Sequence, residues 1–170
     1  MLANIPPALA AAKKIFSAAV KFMPNEFFCD IKKDWQKYKK VKPRRKTILF
    51  ASEPLDVARG RNESVTELII LEKIVDLLAK DFSEIDLIIR LHPSEAAGKY
   101  REIIAKYGQN VKIDVHSLNE NMLVDLAQAE AVIGMKSMFL ILAALCGKKT
   151  VSFLPVGNQK NAFCSSARFQ

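Results

Sequence analysis

The chemistry available to this chain is concentrated in short polar clusters, each following an apolar run. His92 ends the run Asp86-Leu87-Ile88-Ile89-Arg90-Leu91 and precedes Pro93, Ser94 and Glu95. Its imidazole can donate a hydrogen bond when neutral and present a cation when protonated, and either form suits an anionic ligand. Pro93 fixes its own φ, confines His92 to extended backbone and suits a first helical position, so the chain aims the imidazole and Glu95 is expected in a helix's first turn. Gly134-Met135-Lys136-Ser137 follows another apolar run. There Gly134 lets backbone approach a ligand closely, the next helix supplies free amides, Ser137 adds a hydroxyl and Lys136 a charge, as a phosphate site requires. Equally, Gly134 can make a tight turn and Ser137 can cap the helix. Glu53, beside Ser52, is a candidate base for a hydroxyl proton or else a solvated or capping carboxylate. His116 and Ser117 end a third apolar run.

Several familiar chemistries are absent from the pattern. The Gly-x-x-x-x-Gly-Lys-Ser/Thr spacing of a Walker loop does not occur, nor does Gly-x-Gly-x-x-Gly. The two histidines fall in different loops with no third ligand marked, so no metal site and no cofactor is expected. Cys29, Cys146 and Cys164 have neither metal-ligand spacing nor the even count of a disulfide framework, which fits a reducing cytoplasm. Cys146 reads as a small core residue.

The elements that must position these residues alternate regularly. Strands are expected over residues 47–51, 86–91, 111–115, 131–133 and 150–154. Between them, helices are expected over 64–80, 95–107 with Gly108 at C′, 122–128 capped by Asn119 or Asn121, and 136–145 stopped by Gly147. Alternation with short connections predicts a doubly wound parallel α/β sheet of about five strands, Rossmann-like, with right-handed crossovers. In such a sheet ligands sit beyond the carboxyl ends of the strands. The rim then collects Ser52 and Glu53, His92 and Ser94, His116 and Ser117, Gly134 to Ser137, and Pro155 to Gly157.

The chain has 170 residues, half of them hydrophobic, enough for one domain with an added arm. Its net charge of +8 is unevenly spread: residues 1–46 hold 12 Lys/Arg and 3 Asp/Glu, whereas residues 47–170 hold 14 and 15. The excess belongs to a basic arm on a nearly neutral domain. Within the arm, residues 8–22 suit an amphipathic helix ended by Pro24, residues 29–38 a second helix, and residues 37–46 a linker. Residues 47–155 are expected to be the compact domain and 156–170 a polar tail. No apolar stretch reaches the roughly 20 residues that span a bilayer, and a cleaved signal peptide fits poorly. Only Trp35 and Tyr38 offer stacking in the basic stretch, so nucleic acid is not an expected partner.

Three segments together resemble a family. They are Leu87-Ile88-Ile89-Arg90-Leu91-His92-Pro93-Ser94-Glu95, Ala129-Glu130-Ala131-Val132-Ile133-Gly134-Met135-Lys136-Ser137-Met138, and Gly147-Lys148-Lys149-Thr150-Val151-Ser152-Phe153-Leu154-Pro155. They look like the C-terminal nucleotide-sugar-binding half of GT-B glycosyltransferases, in the bacterial capsule and lipopolysaccharide group of sialyltransferase-like enzymes and CDP-glycerol polymerases. In that group a His-Pro motif and a Ser-containing motif contact the donor's phosphates, so the resemblance implies His92 and Ser137 as phosphate contacts. Ser94, Gly134 and Lys136 accompany them in the candidate donor site, and Glu53 is the candidate catalytic base. The family carries a second Ser or Thr beside the position of Ser137, where this chain has Lys136 and Met138. Its acidic base lies in an N-terminal half for which this chain has no room, so the implied partner is such a half on another chain.

The function expected from this reading is donor binding in a truncated or split glycosyltransferase of surface polysaccharide synthesis, cytoplasmic and peripheral at the inner membrane through residues 1–46. The alternative is a non-catalytic α/β module whose basic arm binds a partner or anionic lipid. A third, weaker reading is a sugar epimerase of similar fold.

Overall fold

A computed structural model of the chain describes residues 2–3, 10, 13–15, 21–22, 25–41, 45–54 and 67–153. Two compact units divide between Lys37 and Tyr38. In the first, the two-residue strands Leu2–Ala3 and Lys21–Phe22 pair in parallel. Ala10 and residues 13–15 are helical, so the helix expected over residues 8–22 does not reach its predicted end. Pro24 disfavours helical backbone at the residue before it, and an aromatic such as Phe22 suits a strand. Helix α1, Glu26–Tyr38, begins three residues before the expected Cys29 because Asn25 caps it: Asn25 Oδ1 accepts the Phe28 amide at 3.3 Å. Glu26 and Lys37 stand at the ends that suit their charges, and Ile31 and Trp35, four apart, are buried.

The second unit is built on strands β1 (Thr47–Ala51), β2 (Asp86–Arg90), β3 (Ile113–His116), β4 (Ala131–Gly134) and β5 (Lys149–Ser152). Between them run helices α2 (Glu67–Asp81), α3 (Arg101–Tyr107), α4 (Met122–Gln128) and α5 (Met138–Leu145). All pairings are parallel, in the order β3-β2-β1-β4-β5. Ile48, Leu49 and Phe50 face Leu87, Ile88 and Ile89 on one side and Ala131, Val132 and Ile133 on the other. Continuous Ile, Leu and Val at the centre is what a strand covered on both faces requires.

Helices cover both faces, as doubly wound topology demands. Phe50, Leu87 and Ile89 share a buried cluster with Ile70, Leu71, Val75 and Leu78 of α2 and Ile103 of α3. Successive strand residues point to opposite faces, and Arg90, next after Ile89, meets Asp125 of α4 and the Phe139 ring of α5. The fold expected from the sequence, a five-stranded parallel α/β sheet, is the one observed.

Element ends differ from the expected ones at several points, one shaped by long-range bonds and the others by local caps. Residues 93–100 make turns instead of opening a helix, and α3 starts only at Arg101. Glu95 is therefore not in a helix's first turn; its carboxylate is committed to His92 N, Ser52 and Lys99. Gly108 caps α3 in right-handed conformation, φ −64°, so it is not the left-handed C′ residue expected. Val111 donates its amide to Tyr107 O at 3.0 Å, closing the helix end, and the β3 ladder begins two residues later. Asn121, one of the two expected caps, accepts the Leu123 amide at 2.9 Å. Helix α5 starts at Met138 because Ser137 is its cap, and Gly147 follows its end with φ +76°, a backbone that L side chains rarely adopt. The expected start of α2 at Ser64, the end of the last strand at Leu154, the rim residues Pro155 to Gly157 and the tail lie outside the described residues.

Candidate functional site

The chain winds outward from β1 through β2 to β3, then crosses to the other side of β1 to form β4. In doubly wound sheets a reversal of this kind sets a crevice beyond the carboxyl ends of the two strands that flank it, here β1 and β4. Ser52 and Glu53 follow β1, and Met135, Lys136 and Ser137 follow β4. His92 follows β2, the next strand over.

Glu53 links the two strand ends. Its Oε1 accepts the backbone amide of Lys136 at 2.8 Å, and the residue is only 9% exposed. Burial pushes its carboxyl above the usual range; the Lys136 amide, His92 and the Lys136 ammonium pull it down, and Glu95 pushes it up. The carboxylate thus lies in the field of two expected phosphate-site residues.

His92 is exposed, and its ring is fixed by its own turn. The Ser94 amide donates to Nδ1 at 3.2 Å and the Ser94 hydroxyl lies 2.8 Å from the same nitrogen. A backbone amide can only donate, so Nδ1 is the acceptor and the neutral imidazole carries its proton on Nε2. The turn thereby presents an N–H donor, and Ser94 serves to orient His92. Behind the turn, Glu95 Oε2 accepts His92 N at 2.7 Å while Glu95 Oε1 accepts the Ser52 hydroxyl at 2.8 Å. Ser52 also bonds Tyr100 OH, and Lys99 bridges Glu95 to the fully buried Glu67. This network ties the end of β1 to the turn after β2.

Gly134 is the last residue of β4, and its missing side chain lets neighbours approach. A Cβ there would meet Ala51 Cβ at 3.3 Å and Leu140 Cγ at 3.4 Å. The close approach is to Ala51 of β1 and Leu140 of α5. Ser137 Oγ accepts the Phe139 amide at 3.2 Å as the cap of α5, leaving its hydroxyl proton free to donate elsewhere. The Lys136 side chain is exposed. Glu53, His92, Lys136 and Ser137 therefore lie at the sheet's carboxyl rim, with Ser94 orienting His92.

The sequence reading missed a second constellation on the α4 side of the rim. His116 Nδ1 lies 2.8 Å from Asp125 Oδ1, and Arg90, paired in register with His116, forms an ion pair with Asp125 Oδ2. Arg90 also donates to Glu120 O at 3.2 Å. The signal in the sequence was Asp125, a single carboxylate within Met122-Leu123-Val124-Asp125-Leu126-Ala127. Ser117, expected on the rim with His116, donates its amide and hydroxyl to Glu120 Oε2 at 2.7 and 2.9 Å.

No protein-family model matches the chain. No curated protein matches it either. Among solved structures, Anabaena Alr3699/HepE in complex with UDP-glucose is similar at TM-score 0.46 and 15% identity, over 89% of this chain and 43% of that one. Thermosulfurimonas dismutans KpsC, a beta Kdo 2,4 transferase, is similar at TM-score 0.40 and 14% identity, over 77% and 46%. The chain thus spans less than half the length of either.

Proposed function

We propose that residues 47–153 form the donor-binding half of a glycosyltransferase, with the phosphates of a nucleotide sugar seated in the crevice between β1 and β4. The observation that carries this reading is Glu53, whose carboxyl bonds the Lys136 amide next to the Ser137 cap and feels the charge of His92 from the neighbouring strand end. His92 offers Nε2–H and Ser137 its hydroxyl proton, donors that suit phosphate oxygens. The carbon–oxygen bond between sugar and phosphate breaks during transfer, and both donors then stabilise charge on the departing nucleotide. Residues of another half or chain would take the acceptor hydroxyl's proton. Glu53 already spends Oε1 on the Lys136 amide and would have to accept that proton on Oε2. In this reading the product is a surface polysaccharide. The chain works on the cytoplasmic side of the inner membrane, with residues 1–46 as a basic contact to anionic lipid. No helix among the described residues is long and apolar enough to cross a membrane.

The test is a calorimetric titration of the chain with CMP, CDP, UMP and UDP, repeated on His92→Ala and Ser137→Ala. Selective binding is expected, with each variant weakened at least about tenfold, the equivalent of one charge-assisted hydrogen bond. Thermal melts of each variant must show a folded domain, since Ser137→Ala also removes a helix cap worth roughly 1 kcal/mol. A folded chain that binds none of the four contradicts the proposal. Arm-dependent binding to anionic vesicles that ignores His92→Ala would then favour an interaction module, which the +9 charge of residues 1–46 would supply.

A further inference from the structure

We propose that Glu53 is an internal stand-in for the ligand's phosphate, holding the Lys136 amide in the free protein and leaving it when the phosphate arrives. The inference rests on the donor-site reading above and concerns how that site is filled. A carboxylate and a phosphate compete for the same kind of partner, a backbone N–H with positive charge nearby. Glu53 Oε1 has that partner at 2.8 Å, and the charged groups acting on it are His92, Lys136 and Glu95. Two of these are the positive or donating groups expected to receive the ligand. The third, Glu95, repels it across the network that fixes Ser52, its neighbour in sequence.

Nothing about this position is comfortable for a charge. Glu53 is nearly buried, and burial is the largest influence on its carboxyl, acting against ionisation. The amide bond offsets part of that penalty in the free protein. An incoming phosphate brings more charge and more acceptor oxygens to the same amide, and two anions cannot share one donor at close range without strong repulsion. Glu53 is then expelled toward water, where its charge is better solvated. Ligand binding carries the cost of that expulsion, so the carboxylate sets a threshold that a weakly held anion does not pass.

The experiment is a calorimetric titration of the full chain and of its Glu53→Gln and Glu53→Ala variants with UDP and CDP at one pH and ionic strength. Glu53→Gln keeps an acceptor for the Lys136 amide but removes the charge, and is expected to bind roughly tenfold more tightly than the unaltered chain. Glu53→Ala removes both and is expected to gain at least as much; it serves as the reading if the glutamine variant does not fold. Binding by the unaltered chain that is unchanged or weakened in the variants overturns the stand-in and leaves the donor site intact. Absence of binding in the unaltered chain and both folded variants overturns the donor site and the stand-in together.

Discussion

Replacing Asp125 by alanine is expected to lower the unfolding free energy by about 3–5 kcal/mol, read by urea denaturation. The Asp125 side chain is 2% exposed and that of its partner Arg90 10%, so the ion pair is out of water. Alanine would leave the guanidinium with the Glu120 carbonyl at 3.2 Å and the Phe139 ring at 5.6 Å, neither of which carries a compensating charge. His116 would lose the acceptor of its Nδ1 as well. If the loss comes from a stranded charge, Arg90→Met in the Asp125→Leu background recovers most of it, because a buried pair replaced by apolar groups is often neutral. A loss below about 1 kcal/mol for Asp125→Ala would mean that water reaches Arg90 in solution.

Lys99→Met is expected to cost a similar amount, about 3–5 kcal/mol, by the same measurement. Lys99 Nζ serves two carboxylates, Glu67 with no exposure and Glu95 with 3%. Burial opposes the ammonium's charge, but the bonds from Glu67 and Glu95 outweigh it, and the net effect raises its pKa. Methionine would keep much of the apolar stem and leave two buried anions facing one another without a cation. Glu67→Gln added to that variant removes one of them and is expected to restore part of the stability. A double variant no more stable than Lys99→Met would mean that packing, and not charge, supports this region. Because Glu95 also holds His92 N and Ser52, Lys99→Met should weaken the proposed nucleotide binding without changing a residue of the proposed site.

The fold was legible because its signals are local. The Leu and Ile of residues 87–89 and 91, the capping asparagine at 121 and the glycine after residue 146 each act within a few positions, and strand–helix alternation then selects the parallel sheet. The expected helix over residues 95–107 erred because its first half is shaped from a distance. Glu95 reaches Ser52, 43 residues away, and a local pattern carries no trace of that bond. The arm misled for a related reason: apolar residues at helical spacing near residue 20 are also able to pair as a strand with Leu2–Ala3.

The candidate site was legible as a set of loops and obscure as a set of contacts. Topology brings the residues after β1, β2 and β4 to one rim, as strand alternation alone implied. That Glu53 bonds the Lys136 amide, and that His92 is oriented by Ser94, depends on rotamers and turn geometry that periodicity does not encode. Asp125 is the instructive omission. A lone carboxylate in an apolar helix calls for a buried cation, but Arg90 becomes its partner only through the register that sets β2 against β3 and the packing of α4 on the sheet.

The most direct test of the central claim is a two-dimensional amide NMR titration of the isotope-labelled chain with UDP and CDP. The account predicts that the largest shifts fall on His92, Ser94, Lys136 and Ser137, with the Lys136 amide moving as Glu53 gives way. Shifts confined to residues 1–46, or no saturable shift at those four amides, would contradict a phosphate site in the crevice between β1 and β4.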